Sequence, residues 1–294
     1  MPDTADQRPH RSVLYIPGSK ERALDKARGL ACDAIIFDLE DAVAPDDKGN
    51  ARQTLANALE TMDFGPRAQL VRINGFETDW GAADLQVIAP ARPQAILLPK
   101  VNGPADIEAL ARQLDARPET AETRIWAMME TPAGVLNAAA IARAPRMGGF
   151  VMGTNDLIKD MNCRPRPDRL ALQWALQSCL LAARAAGILA VDGVYNAFKD
   201  EAGLEAECEQ GRDLGFDGKT LIHPAQLAIA NRVFAPDAAA LDLARRQIDA
   251  FDAALAQGLG VAVVDGKIVE NLHIVSARRL LAQAEAIAAL EASI

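Results

Sequence analysis

One pattern, repeated eight times, constrains this chain more than any other feature. Short apolar runs recur along the first 222 residues: SVLYI (12–16), AIIF (34–37), QLVRI (69–73), AILL (95–98), IWAMM (125–129), GFVM (149–152), ILAV (188–191) and GKTLI (218–222). Helical stretches fall between them, among them 20–30, 47–61, 104–116, 169–186 and 201–214. Strands alternating with helices form a parallel sheet, and eight such units close into a TIM (β/α)8 barrel of class α/β. The chain has 294 residues, of which half are hydrophobic. That is enough for one barrel, typically about 250 residues, with material left over.

The surplus lies at the C-terminus. A helix is predicted over 237–258, then VAVV (261–264), a hairpin turn at Asp265-Gly266, a return over 267–269 and an amphipathic helix over 275–290. This divides the chain into a barrel domain, 1–234, and a helical and hairpin extension, 235–294. A barrel closes without such an appendage, so its apolar surface is expected to pack on a neighbouring subunit of a homo-oligomer.

Charge and cysteine usage narrow the partners. The net charge of −9 argues against a nucleic-acid face, which must be basic. Cys32, Cys163, Cys179 and Cys208 show no CxxC spacing, which suits a reduced, cytoplasmic chain. The first twelve residues lack the apolar core of a secretory signal, and no apolar run is long enough for a membrane span.

Chemistry concentrates just past the strand ends, the rim on which barrel active sites sit. Glu130 follows the fifth run and Asp156 the sixth. Either acid alone reads as a helix cap. Both together, beside glycine-rich turns, favour a hard cation of the Mg²⁺ class. The second run ends in Asp38-Leu39-Glu40-Asp41, three acids that can join a metal shell, cap the helix starting near Asp46 or, the favoured role, orient ligands and an arginine. Arg72, inside the third run, can fork onto a substrate carboxylate or pair with those acids, and the two roles are compatible. Lys100 ends the fourth run. It invites a Schiff-base reading, but a cation beside the carboxylates fits better. Ser19 is placed as the cap of a first helix that, with Lys20 and Arg22, makes either an anion site or an ordinary turn. His223 reads as a structural imidazole and Asp265 as the first residue of its turn.

The chain resembles the citrate lyase β-subunit-like branch of the HpcH/HpaI aldolase family. RSVLYIPG (11–18), FDLEDAV (37–43), VRING (71–75), LLPKV (97–101), METPAG (129–134), GTNDL (153–157), GKTLIHPAQ (218–226) and VVDGKIV (263–269) carry the likeness, in family order. After Val269 the chain reads ENLH, where many relatives have a proline-containing stretch.

The resemblance implies a TIM barrel that makes or breaks a carbon–carbon bond in 3-hydroxyacyl-CoA thioesters with Mg²⁺, or Mn²⁺ in its place. Malyl-CoA or citramalyl-CoA would yield acetyl-CoA, or an analogue, and glyoxylate or pyruvate. Two alternatives are a malyl-CoA thioesterase on the same site and a citrate lyase β-type subunit acting on a carrier-protein thioester. A third, non-enzymatic, is a regulatory or interaction subunit. By the same resemblance Glu130 and Asp156 hold the metal and Arg72 holds the keto-acid carboxylate. Tyr15, Pro17, Gly18, Ser19, Lys20, Arg22, Ile222 and His223 border the thioester ligand. Asp38, Glu40, Asp41 and Lys100 keep the supporting role read from their own places at the strand ends. Asp265 becomes the general acid/base, delivered by a neighbouring subunit of a trimer or a dimer of trimers.

Overall fold

The eight apolar runs become eight strands because each loses both faces to packing. In the computed structural model, which describes residues 8–293, they are β1 (Ser12–Pro17), β2 (Ala34–Asp38), β3 (Ala68–Arg72), β4 (Ala95–Leu98), β5 (Arg124–Met129), β6 (Met147–Met152), β7 (Leu189–Asp192) and β8 (Gly218–Leu221). They pair in parallel in chain order, and β8 returns to β1, closing the barrel. Side chains alternate across the wall. Val13, Ile36, Leu70, Leu97, Trp126, Met128, Val151 and Val191 fill the interior. Leu14, Ile35, Phe37, Val71, Ile96, Phe150 and Leu221 pack outward with helix residues. Strands buried on both faces read as unbroken apolar runs, which is why the pattern was visible in the sequence.

Around the barrel run α1 (Glu21–Ala27), α2 (Lys48–Thr61), α3 (Gly81–Ile88), α4 (Pro104–Asp115), α5 (Pro132–Leu136), α6 (Ala138–Ala142), α7 (Thr154–Asp160), α8 (Gln173–Ala186), α9 (Glu201–Leu214) and α10 (Leu227–Val233). The starts of α1 and α8 differ from expectation. Ser19 does not cap α1; Lys20 holds that position, without a side-chain cap bond. The helix expected from Arg169 starts at Gln173, after a tighter turn over Leu170–Leu172. Arg169 itself is left-handed, with φ 49°, and so stands outside the helix.

These strands and helices make one compact unit, His10–Phe234. The second unit contains Ala235–Ser293. It comprises α11 (Ala238–Ala256), an antiparallel hairpin of β9 (Ala262–Val264) and β10 (Lys267–Val269), and α12 (Asn271–Glu291). The last helix begins four residues before the sequence suggested. Phe251, Ala262, Val264, Val269 and Ile274 form its small core. Asp265 and Gly266 turn the hairpin with φ of 50° and 75°, the pair of positive values a type I′ turn requires. Among the described residues no helix is long and apolar enough to cross a membrane.

Candidate active site

Register brings the rim acids to one level. Asp38, at the end of β2, pairs with Arg72 at the end of β3, and Met129 pairs with Met152, so Glu130 and Gly153 leave their strands together. Neither acid beyond β5 and β6 caps a helix. Thr131 does so for α5, its hydroxyl accepting the Gly134 N–H at 2.9 Å, and Gly153 stands at the start of α7. Asp156 lies in the first turn of α7, and Glu130 is buried at 1% exposure.

Glu130 needs a glycine beside it. A Cβ at Gly153 would stand 2.2 Å from the Glu130 Cβ. The acid is also fixed by backbone: Lys100 N–H donates to its Oε1 at 2.7 Å. The Lys100 ammonium then spans the two acids, 2.5 Å from Asp156 Oδ1 and 3.5 Å from Glu130 Oε1. Burial pushes the Glu130 carboxyl above its ordinary range despite the opposing pull of Lys100. Burial disfavours the Lys100 ammonium, but its hydrogen bond to Asp156 holds it charged and raises its pKa.

This donor set fits a hard divalent cation. Two carboxylates from consecutive strand ends face one cationic group already between them. No cluster of three or more His, Cys, Asp or Glu ligands occurs among the described residues. Mg²⁺ does not need one, since it takes one or two carboxylates and completes its shell with water and substrate oxygens.

A second charged group lies on the same rim. Arg72 is buried and binds Asp38 through two hydrogen bonds, 2.7 and 2.6 Å. Its Nη1 faces Glu40 Oε2 at 2.7 Å and Asp41 Oδ2 at 3.5 Å. The Glu40 contact is an ion pair without a well-aligned hydrogen bond. Burial pushes the Glu40 carboxyl up to about 7, and Arg72 only partly offsets this. Lys48 supports the acid loop by donating to the carbonyls of Leu39 and Glu40. The Arg72 guanidinium lies 4.9 Å above the Tyr15 ring, whose hydroxyl reaches Met128 Sδ at 3.5 Å.

The remaining candidates divide between the two units. Pro17 ends β1, Gly18 N–H donates to the Asp38 carbonyl at 2.8 Å, and Ser19 follows in the turn. Lys20 and Arg22 are exposed. Ile222 and His223 follow β8 on the surface. The His223 ring accepts the Ala225 N–H through Nδ1 and stacks on Phe198 at 4.5 Å. An open depression of about 520 Å³ runs along Asn196–Asp200 beside that stack. Asp265 belongs to the C-terminal unit, where it is exposed and bound to Arg246 Nη1 at 2.7 Å, a bond that lowers its pKa.

Residues 11–224 match the HpcH/HpaI aldolase/citrate lyase family. The chain belongs to that family. Over 97% of its length it is 65% identical to a (3S)-malyl-CoA thioesterase of Cereibacter sphaeroides, covering 98% of that protein. It is 34% identical to an L-malyl-CoA/beta-methylmalyl-CoA lyase of the same species, with 96% of each chain covered. The crystal structure of CitE from Mycobacterium tuberculosis in complex with magnesium, acetoacetate and coenzyme A superimposes with a TM-score of 0.79. That likeness covers 95% of this chain and 99% of the other, at 29% identity.

One charged cluster of this family member was not singled out in the sequence. Asp192 ends β7, and both of its carboxylate oxygens accept from Arg169 Nη1 at 2.8 Å. Lys219, wholly buried on β8, bridges Asp192 at 3.3 Å and Glu207 of α9 at 2.6 Å. Burial alone would raise the Asp192 carboxyl; Lys219 and Arg169 reverse this and hold it low. An acid at a strand end was the available signal, as for Asp38. Its partners became visible only once β7, β8 and α9 packed together.

Proposed function

We propose that this protein hydrolyses the thioester of malyl-CoA or a close 3-hydroxyacyl-CoA, in a site where Glu130 and Asp156 hold Mg²⁺, or Mn²⁺ in its place. The observation that carries the reading is 65% identity to a (3S)-malyl-CoA thioesterase along 97% of this chain. It moves thioester hydrolysis ahead of the carbon–carbon cleavage that the sequence motifs alone placed first. The magnesium and coenzyme A named for the CitE complex support the cofactor and substrate class.

When bound, the divalent ion supplies Lewis-acid polarisation of a substrate oxygen. The chain's own residues do the rest. Arg72 binds the substrate carboxylate through Nη1, in exchange for its contact with Glu40, while Asp38 keeps the other edge. Tyr15, Pro17–Lys20, Arg22, Ile222 and His223 border the coenzyme A portion, and the depression beside Phe198 extends that border. Water adds its oxygen to the thioester carbon while a carboxylate takes the water proton. The C–S bond then breaks, sulfur keeps the electron pair, and the proton passes to the departing thiolate. We assign the proton transfer to Asp265 of a neighbouring subunit in a homo-oligomer, a trimer or a dimer of trimers. The buried free thiols of Cys32, Cys179 and Cys208 suit a cytoplasmic setting.

Carbon–carbon cleavage is the second reading, supported by 34% identity to the L-malyl-CoA/beta-methylmalyl-CoA lyase. Purified protein with malyl-CoA separates the two. Free thiol and malate in equal amounts support hydrolysis; acetyl-CoA and glyoxylate overturn it in favour of the lyase. Absence of any product from malyl-CoA or citramalyl-CoA would point to the carrier-protein or non-enzymatic alternatives.

A further inference from the structure

Lys100 is built differently from an ordinary surface lysine. Its backbone is left-handed, with φ 52°, a conformation that side-chain-bearing residues adopt only when their surroundings impose it. Here they do. Its N–H is held by Glu130 Oε1 at 2.7 Å, and its carbonyl accepts from Asn102 Nδ2 at 3.1 Å. Asn102 is itself held by the Thr131 hydroxyl at 2.8 Å. The bend returns the side chain over the two acids, with the ammonium 2.5 Å from Asp156 and 3.5 Å from Glu130.

We propose that the Lys100 ammonium is a resident counter-cation that holds the metal-free Glu130–Asp156 pair together and is exchanged for the incoming divalent ion. The inference rests on the reading of these acids as metal holders and adds how they are kept ready. Two carboxylates brought together without a cation repel, and one of them is buried at 1% exposure. The ammonium, 2.5 Å from Asp156 Oδ1 and 3.5 Å from Glu130 Oε1, competes for the carboxylate oxygens that a divalent ion would use. The lysine side chain is one-third exposed, so its head has solvent to retreat into along a flexible stem. Lys100 is therefore a positioning residue. It stabilises the empty site and sets metal affinity below what the two carboxylates alone would give.

Calorimetric titration of Mn²⁺ and Mg²⁺ into chelator-stripped protein, without substrate, tests this. Lys100→Met removes the competing charge and should tighten binding by up to about five-fold, the scale of one partly exposed ion pair. Stripped Lys100→Met should melt below stripped wild type, and saturating Mg²⁺ should close the gap. Lys100→Arg keeps the charge and should bind metal close to wild type. Lys100→Gln serves in place of Lys100→Met if circular dichroism shows that variant unfolded. Unchanged or weaker metal binding in the neutral variants overturns the exchange. Wild type that takes up no divalent ion overturns instead the metal reading on which it rests.

Discussion

Arg72 and Asp38 face each other in register on adjacent strands and join through two short hydrogen bonds, Nε to Oδ1 at 2.7 Å and Nη2 to Oδ2 at 2.6 Å. Both are buried. The fork takes one edge of the guanidinium and leaves Nη1 beside Glu40 and Asp41. The structural partnership expected of Arg72 is therefore present, while the carboxylate-binding role proposed above would call on Nη1 and require Glu40 to give way.

Removing Asp38 therefore tests the structural edge. Asp38→Ala leaves a buried guanidinium without its best partner, a loss of about 3 kcal/mol in urea unfolding. A change near zero would mean that Glu40 and Asp41 suffice to hold the arginine.

Arg72→Lys tests the other edge. An ammonium cannot reproduce the planar fork, so kcat/KM for the acyl-CoA should fall by roughly 10- to 100-fold while affinity for free coenzyme A stays the same. Equal turnover would leave Arg72 a purely structural partner of Asp38.

Glu40 gives a pH signature in stability. Its carboxyl is raised to about 7 by burial, above its ordinary value of 4.5. A raised carboxylate pKa favours folding fully below the ordinary value, and that contribution is lost as pH rises to about 7. Glu40→Gln cannot ionise. Its stability relative to wild type should climb between pH 4.5 and about 7, then level off, with an amplitude of about 1–3 kcal/mol. Melting curves across that range that run parallel for the two proteins would contradict it.

Metal dependence follows from the acid pair. Chelation should abolish turnover, and added Mg²⁺ or Mn²⁺ should restore it. Glu130→Gln and Asp156→Asn should remain folded by circular dichroism yet stay inactive with added metal. Full activity of either variant in stripped buffer would remove the pair from the metal role.

Asp265 separates chemistry from stability. Its pair with Arg246 is exposed, and such pairs contribute little to folding, so Asp265→Asn should melt with wild type. Turnover should nonetheless fall by about 10²–10⁴, the range for a positioned proton-transfer group. Mixed oligomers of Asp265→Asn and Glu130→Gln subunits, made by dissociation and reassembly, should regain part of the activity. No recovery in mixtures verified by mass spectrometry would reject a site shared between subunits.

Much of this protein is legible in its sequence, wherever the signal is local. Runs such as AIIF and AILL declare strands because both of their faces are buried. Asp265-Gly266 declares its turn because a two-residue hairpin requires positive φ at both positions. Glu130 and Asp156 stand out because a strand end is a fixed place in a barrel. What the tertiary structure alone decided are the partnerships between distant residues. Arg169, left-handed and bound to Asp192, delays to Gln173 a helix expected to begin at Arg169 itself. Lys219 lies in an apolar run yet is buried against Asp192 and Glu207 from separate elements. Lys100 bends back across 56 residues of sequence to reach Asp156. A buried charge takes whichever opposite charge barrel closure brings to it, and that neighbour is set by packing, not by sequence spacing.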